Sequence, residues 1–202
     1  MAVSAAEVKA LRERTGAPMM EVKRALEEAD GDTEQAIQIL RKKGAASAAK
    51  RSGRGTSEGI VASYVHADGR KGALVEVQCE TDFVARNEDF QEFARQVAIH
   101  VTAMSPRHVT FDDIPEEEVA KEQNILSEKA KADGKPDNVV EKIVEGQLRK
   151  WASELVLLDQ KHFNEERYEG KTIDDLRTEL AAKTGENVRI ARFSRFEVGE
   201  ED

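Results

Sequence analysis

Apolar side chains recur at helical spacing in three short runs within the first 44 residues. Ser4 and Glu7 form a capping box, so the first helix starts near Ala5. Val8, Leu11 and Thr15 mark its inner side, and Gly16 stops it. Pro18 fits the first turn of a second helix, which carries Met19, Val22, Ala25 and Leu26 towards Ala29 before Asp30-Gly31 breaks it. Asp32 caps a third helix with Ala36, Ile37 and Leu40 on one face and Gly44 at its end. Three helices in so short a stretch make a small bundle with a thin core.

The period then changes. Residues 45–57, AASAAKRSGRGTS, are small, Gly- and Ser-rich, and read as a flexible or loosely helical linker. GIVASYVH and KGALVEVQC flank the turn residues Ala67, Asp68, Gly69 and Arg70, the pattern of a β-hairpin. Ala73, Val75, Val77 and Cys79 alternate with Leu74, Glu76 and Gln78, as in a sheet covered on one face. A long helix is expected over 87–104, with Phe90, Phe93, Ala94, Val97, Val101 and Met104 at helical spacing and Pro106 beyond it. Pro115 opens a charged helix over 116–133. After Gly134 and Pro136 another runs to about 155, with Val139, Ile143, Leu148, Trp151 and Leu155 as its inner stripe. Thr172 caps a further helix with Leu176 and Leu180 inside, and 187–198 alternates as a strand with Val188, Ile190, Phe196 and Val198 on one side. The chain therefore reads as α+β. A three-helix bundle (1–44) and a linker (45–57) precede an α+β core (58–198), in which the late strand joins the hairpin in a small antiparallel sheet packed by helices. Residues 199–202 form an acidic tail expected to be disordered.

Composition narrows the function. The 202 residues are 39% hydrophobic and 35% charged, with few aromatics, so the core rests on Leu, Ile, Val and Ala. No run approaches the roughly 18 apolar residues of a membrane span. The opening MAVSAAEVKALRER lacks the apolar run of a signal peptide, and the single Cys79 excludes an internal disulfide. The expected location is the cytoplasm. The net charge of −9 is uneven: residues 1–56 hold 11 basic against 8 acidic side chains, and the rest holds 20 against 32. An acidic body argues against nucleic acid as the main partner. Residues 41–54 contain six basic and no acidic side chains, either a solvated linker or a weak electrostatic contact with RNA or an acidic partner.

Covalent chemistry finds no support. His66, His100, His108 and His162 have no ligand-like spacing to one another or to Cys79, so no metal is expected. Cys79 falls on the apolar side of a strand, where a buried thiol is the simpler reading. There is no GxxxxGK[ST] loop and no GxGxxG after a strand, so no nucleotide or other cofactor is expected on the chain itself.

Two segments stand out. In TDFVARN, 81–87, an aromatic and a valine occupy a strand-to-helix junction that is ordinarily short and polar. Phe83 either tucks under the following helix or is offered to a partner's pocket. In LRERTGAPMMEVKRAL, 11–26, Met19 and Met20 are adjacent and cannot both point inward from one helix. At least one faces solvent or a partner, and exposed methionine adapts well to binding surfaces.

CETDFVARN, 79–87, resembles the signature of the elongation factor Ts family. LRERTGAPMMEVKRAL with EEADGDTEQAIQILRKKG resembles that family's N-terminal ubiquitin-associated-like three-helix domain, and EKIVEGQLRKW and RFSRFEVGE are similar to its C-terminal segments. The resemblance implies a guanine nucleotide exchange factor for the GTPase elongation factor Tu. It implies that Asp82 and Phe83, with Thr81, Val84 and Arg86 beside them, enter the GTPase domain. There the phenylalanine wedges between helices and disturbs the Mg²⁺ and phosphate site. It also implies that the N-terminal domain clasps the GTPase through Arg12, Met19, Met20 and Lys23. The chain departs from the family pattern at Pro18, where Gly is frequent, and at Val22, where Cys is common. It lacks the second core repeat and projecting coiled coil of long members, which implies a short form that pairs as a homodimer in a 2:2 complex. Competing expectations are a docking adaptor, an RNA-binding factor working through 41–54 and, last, a covalent enzyme.

Overall fold

The computed structural model of the protein describes residues 3–134 and 136–200, except for the side chains of Asp137 and Asn138. Glu201 and Asp202 of the acidic tail lie outside the described residues. The fold is α+β, with eight α-helices and a three-stranded antiparallel sheet among the described residues. The chain divides into two compact units. The first gathers the residues up to Val61, Glu76–Ala94 and Asp175–Ile190; the second gathers Ala62–Val75, Arg95–Asp174 and the residues from Ala191 on.

The N-terminal bundle consists of α1 (Ala5–Thr15), α2 (Met19–Glu28) and α3 (Thr33–Arg51). At the start of α1, Glu7 N donates to Ser4 Oγ at 3.2 Å and Ser4 N donates to Glu7 Oε2 at 2.8 Å. The backbone and hydroxyl of Ser4 hold the Glu7 carboxyl below its usual range. Pro18 sits one position earlier than expected, as the residue preceding α2, and Asp32 Oδ1 accepts from Gln35 N to cap α3. Val8, Leu11, Val22, Ala25, Leu26, Ala36, Ile37 and Leu40 pack as one core.

Helix α3 does not stop at Gly44. Residues 45–51, read above as flexible or loosely helical, continue it by two turns. Gly44, Ser47, Ala48 and Arg51 are the part-buried or buried positions of this extension, an i, i+3, i+4, i+7 face. A Cβ on Gly44 would lie 3.5 Å from the Ala182 Cβ of α8 (Ile173–Thr184). A glycine inside a helix costs about 1 kcal/mol relative to alanine. Here the close approach to α8 and the alanine-rich sequence around it offset that cost.

The sheet is formed by β1 (Glu58–Val65), β2 (Lys71–Cys79) and β3 (Arg189–Glu197), with β2 in the centre. His66 N donates to Lys71 O at 2.9 Å to close the hairpin, and Val198 N donates to Arg70 O at 2.8 Å. On β2, Ala73, Val75, Val77 and Cys79 are buried while Leu74 is exposed, as the alternation requires. The side expected to run from Val188 to Val198 is split: Val188 and Ile190 are buried, whereas Phe196 and Val198 are exposed. Gly59 is required where it stands, because an added Cβ would meet Val77 O at 2.2 Å.

After the short α4 (Asp82–Ala85), α5 (Glu88–Met104) buries Phe90, Phe93, Ala94, Val97 and Val101 and leaves Met104 exposed. Helices α6 (Glu116–Ala132) and α7 (Asp137–Leu155) pack along each other around Ala130, Val140 and Val144. The inner stripe of α7 is therefore rotated by one position from the expected one: Val140, Val144 and Ala152 are buried, and Val139 is exposed. The doublets Val139-Val140 and Ile143-Val144 supply two equally apolar stripes, and contact with α6 selects one.

The second unit contains a buried pair of imidazoles. Phe163 N donates to His100 Nδ1 at 3.1 Å, so the ring carries its proton on Nε2, directed at Gln160 Oε1 2.8 Å away. His162 accepts from Asn164 N and stacks against Phe163 and Tyr168, with ring centroids 4.6 and 3.9 Å away. Burial depresses the pKa of both, and together with the neighbouring His100 and Arg167 charges it pushes His162 down to about 4. Because the folded values lie below the unfolded value near 6.5, the unfolded chain binds protons first as pH falls. Stability contributed by the neutral rings is complete above about pH 6.5 and declines through the pKa of His162. Melting temperature should fall between pH 6.5 and pH 4, with a shallower fall for His162→Gln; circular dichroism melts across that range measure it, and equal slopes would refute the assignment.

Candidate partner-binding site

β2 ends at Cys79, and the chain turns at once into α4. Thr81, extended at φ −129°, ψ 154°, caps this single turn: its Oγ accepts from Val84 N at 3.4 Å. Asp82 pairs with Arg86 at 3.0 Å across the turn. One helical turn places positions 82 and 85 on one side, so Ala85 is buried and Phe83 projects the other way. Phe83 is 81% exposed, which rules out tucking beneath α5. Leaving such a ring in water forgoes roughly 2 kcal/mol of burial. Val84 is half-buried and Arg86 exposed.

The junction is held from behind by residues that the sequence pattern did not single out. Glu80 N and Thr81 N both donate to Glu186 Oε2 at 3.0 Å, and Thr81 Oγ donates to Glu186 Oε1 at 2.6 Å. Asn187 N donates to Glu80 Oε1 at 2.6 Å, and Arg54 reaches the same carboxylate at 3.4 Å. The Asn187 amide donates in turn to Ser52 O and Arg54 O. Beneath the turn, Cys79 Sγ donates to Thr81 O at 3.2 Å. Burial, followed by the nearby Glu186 charge, pushes the Cys79 thiol up to about 11, so it is a packing group and not a nucleophile. Only Gly185, breaking α8 just ahead of Glu186, marks this region in the sequence; no periodicity links Glu186 to Thr81.

The N-terminal candidates lie on α1 and α2 in the same unit. Met19 and Met20 are 53% and 58% exposed, so both face outward. Lys23, one turn on, pairs with Glu27 at 3.6 Å, and Arg12 is exposed in the last turn of α1. The α1–α2 turn and the start of α5 share an intermediary in Lys183. A Cβ on Gly16 would lie 3.2 Å from Lys183 Cδ, and the Lys183 ammonium pairs with Asp89 in the first turn of α5 at 2.5 Å. The basic stretch 41–54 is largely engaged within the chain. Arg41 pairs with Glu179, Lys43 with Glu28 and Arg54 with Glu80, and Arg51 donates to Ala181 O.

Comparison with known proteins decides the family. The family model described as Elongation factor TS matches residues 2–168. The chain is 54% identical over 199 residues to the elongation factor Ts of Thermosipho melanesiensis, covering 98% of this chain and all of that one. It is 51% identical over 201 residues to that of Thermotoga neapolitana, with the full length of both chains covered. It is 53% identical over 193 residues to that of Carboxydothermus hydrogenoformans, covering 96% of this chain and 88% of the relative. The chain belongs to the elongation factor Ts family. The exposed phenylalanine and the adjacent methionines thus stand in a member of a translation elongation factor family. Among the described residues no helix is long and apolar enough to cross a membrane, and no three His, Cys, Asp or Glu side chains gather as a metal site.

The burial of Cys79 is directly measurable. The folded protein should react negligibly with a thiol-specific disulfide reagent at pH 8 and release one equivalent of thiol after denaturation. Rapid stoichiometric reaction of the folded protein would contradict this packing.

Proposed function

We propose that this chain is a guanine nucleotide exchange factor that binds elongation factor Tu and promotes GDP release by perturbing its Mg²⁺ and phosphate site. The observation that carries the reading is Phe83: a large apolar ring held in solvent on a turn fixed by its neighbours. A factor accelerates release when it binds the nucleotide-free GTPase more tightly than the loaded one, and the weakening is then reciprocal. A ring that gains its burial only where the partner's helices have parted supplies that difference. Asp82, Thr81, Val84 and Arg86 flank the wedge, and Arg12, Met19, Met20 and Lys23 form a second contact on the bundle (1–44). No covalent bond changes, and the chain needs no cofactor of its own. With a translation GTPase as partner, it works in the cytoplasm.

Release of fluorescent GDP from elongation factor Tu, with substoichiometric chain, tests this. Wild type should accelerate release over many turnovers. Phe83→Ala should remain folded and lose about 30-fold or more in rate, the equivalent of about 2 kcal/mol for a truncated aromatic anchor. Normal acceleration by Phe83→Ala would leave the adaptor reading in its place.

The exposed face of the sheet supports a homodimer. Val65, Leu74, Phe196 and Val198 line a shallow concavity of about 400 Å³ at the hairpin end. All four are exposed. An apolar sheet face of this kind pairs with its own copy about a two-fold axis. Two copies would then present two signature turns, for a 2:2 assembly. Sedimentation at micromolar concentration should give a dimer for wild type and a monomer for Phe196→Asp; a monomeric wild type would overturn the pairing.

A further inference from the structure

We infer that Glu186 is a positioning residue for exchange, acting on Phe83 through Thr81; this rests on the exchange reading above. The carboxylate of Glu186 faces three donors of the signature junction: Glu80 N, Thr81 N and the Thr81 hydroxyl. The hydroxyl has a single proton. At 2.6 Å that proton is committed to Glu186 Oε1, so a lone pair of the same oxygen is left to accept from Val84 N. Glu186 therefore fixes the rotor that caps α4, and α4 is the only element that carries Phe83. The cap is of the kind whose loss costs a helix end most when the helix is short, and α4 is one turn long.

The position of Glu186 makes this more than a surface contact. It stands just beyond α8, after Gly185, and its neighbour Asn187 donates to Glu80 Oε1 and to the carbonyls of Ser52 and Arg54. The carboxylate thus ties the aim of Phe83 to the frame formed by α8 and the end of α3, all within one compact unit. A wedge works on geometry, and small displacements of a reacting or inserting group can cost 100-fold. Without Glu186 the ring remains available for binding, but its direction is no longer set in advance.

The substitutions separate this role from general support. In Glu186→Gln the amide oxygen can keep both backbone bonds, and its NH₂ can donate to the Thr81 hydroxyl, which still accepts from Val84. In Glu186→Ala nothing fills the position, and Thr81→Val removes the hydroxyl while leaving the carboxylate. Fluorescent GDP release at saturating chain should fall about tenfold for Glu186→Ala and for Thr81→Val, and less than threefold for Glu186→Gln. In the Phe83→Ala background, Glu186→Ala should have no further effect, because the two act through one ring. Hydrogen exchange at the amides of residues 80, 81 and 84 should quicken in Glu186→Ala, with α5 still protected. Wild-type exchange rates in Glu186→Ala, or losses that multiply with Phe83→Ala, overturn the inference. If Glu186→Ala does not fold, Thr81→Val carries the same comparison, and a normal rate there overturns it equally. Should Phe83→Ala itself exchange normally, it is the exchange reading that fails, and the amide protection of residues 80, 81 and 84 still reports whether Glu186 holds the turn.

Discussion

The peptide between Glu80 and Thr81 is gripped by a carboxylate 106 positions away in the chain. Both of its flanking N–H groups point at one oxygen of Glu186, and the Glu80 side chain accepts from the backbone of Asn187. Charge-assisted bonds of this kind are shorter and stronger than neutral ones. They sit where the central strand of the sheet ends, so they fix where β2 stops, how α4 begins and how α5 leaves. The rest of the first unit follows from that junction: the last turns of α3 lie on α8, and α8 delivers Glu186 and Asn187 to the strand end.

This arrangement explains how a chain with few aromatics leaves one of them in water. Phe83 has no stabilising role in the fold, because the inward side of its turn is taken by Ala85. The turn is held by polar bonds at its base and so does not need the ring for its shape. Structure and exposure are thereby separated: the polar junction supplies order, and the aromatic stays largely in solvent.

Much of this was legible in the sequence, for identifiable reasons. The caps at Ser4 and Asp32, the alternation of Ala73, Val75, Val77 and Cys79, and the helical spacing of Phe90, Phe93, Ala94, Val97 and Val101 are local signals, and the structure follows them. Phe83 was conspicuous because an aromatic in a tight polar junction contradicts its surroundings. What was not legible depends on distant partners. Gly44 resembles a helix stop until Ala182 lies 3.5 Å from where its Cβ would be. The stripe of α7 was ambiguous until α6 chose between two adjacent valines. Phe196 and Val198 share the even positions of Val188 and Ile190, yet beyond Ile190 the less exposed positions shift to Ala191, Phe193 and Arg195, and no local pattern announces that shift. Glu186 is one acidic residue among forty acidic side chains, and nothing nearby reveals that three donors converge on it.

The continuation of α3 has a further consequence. Nineteen helical residues make a rod of about 28 Å. Its far end is fastened where Asn187 holds Ser52 and Arg54. The methionine face of the bundle and the ring of Phe83 are therefore not joined by a string. A flexible tether lets a second contact form anywhere within its reach and dilutes it accordingly, whereas a stiff one concentrates it at a single spacing. The rod is in that sense a strut: with α8 and Lys183 it makes the bundle and the start of α5 parts of one stiff unit.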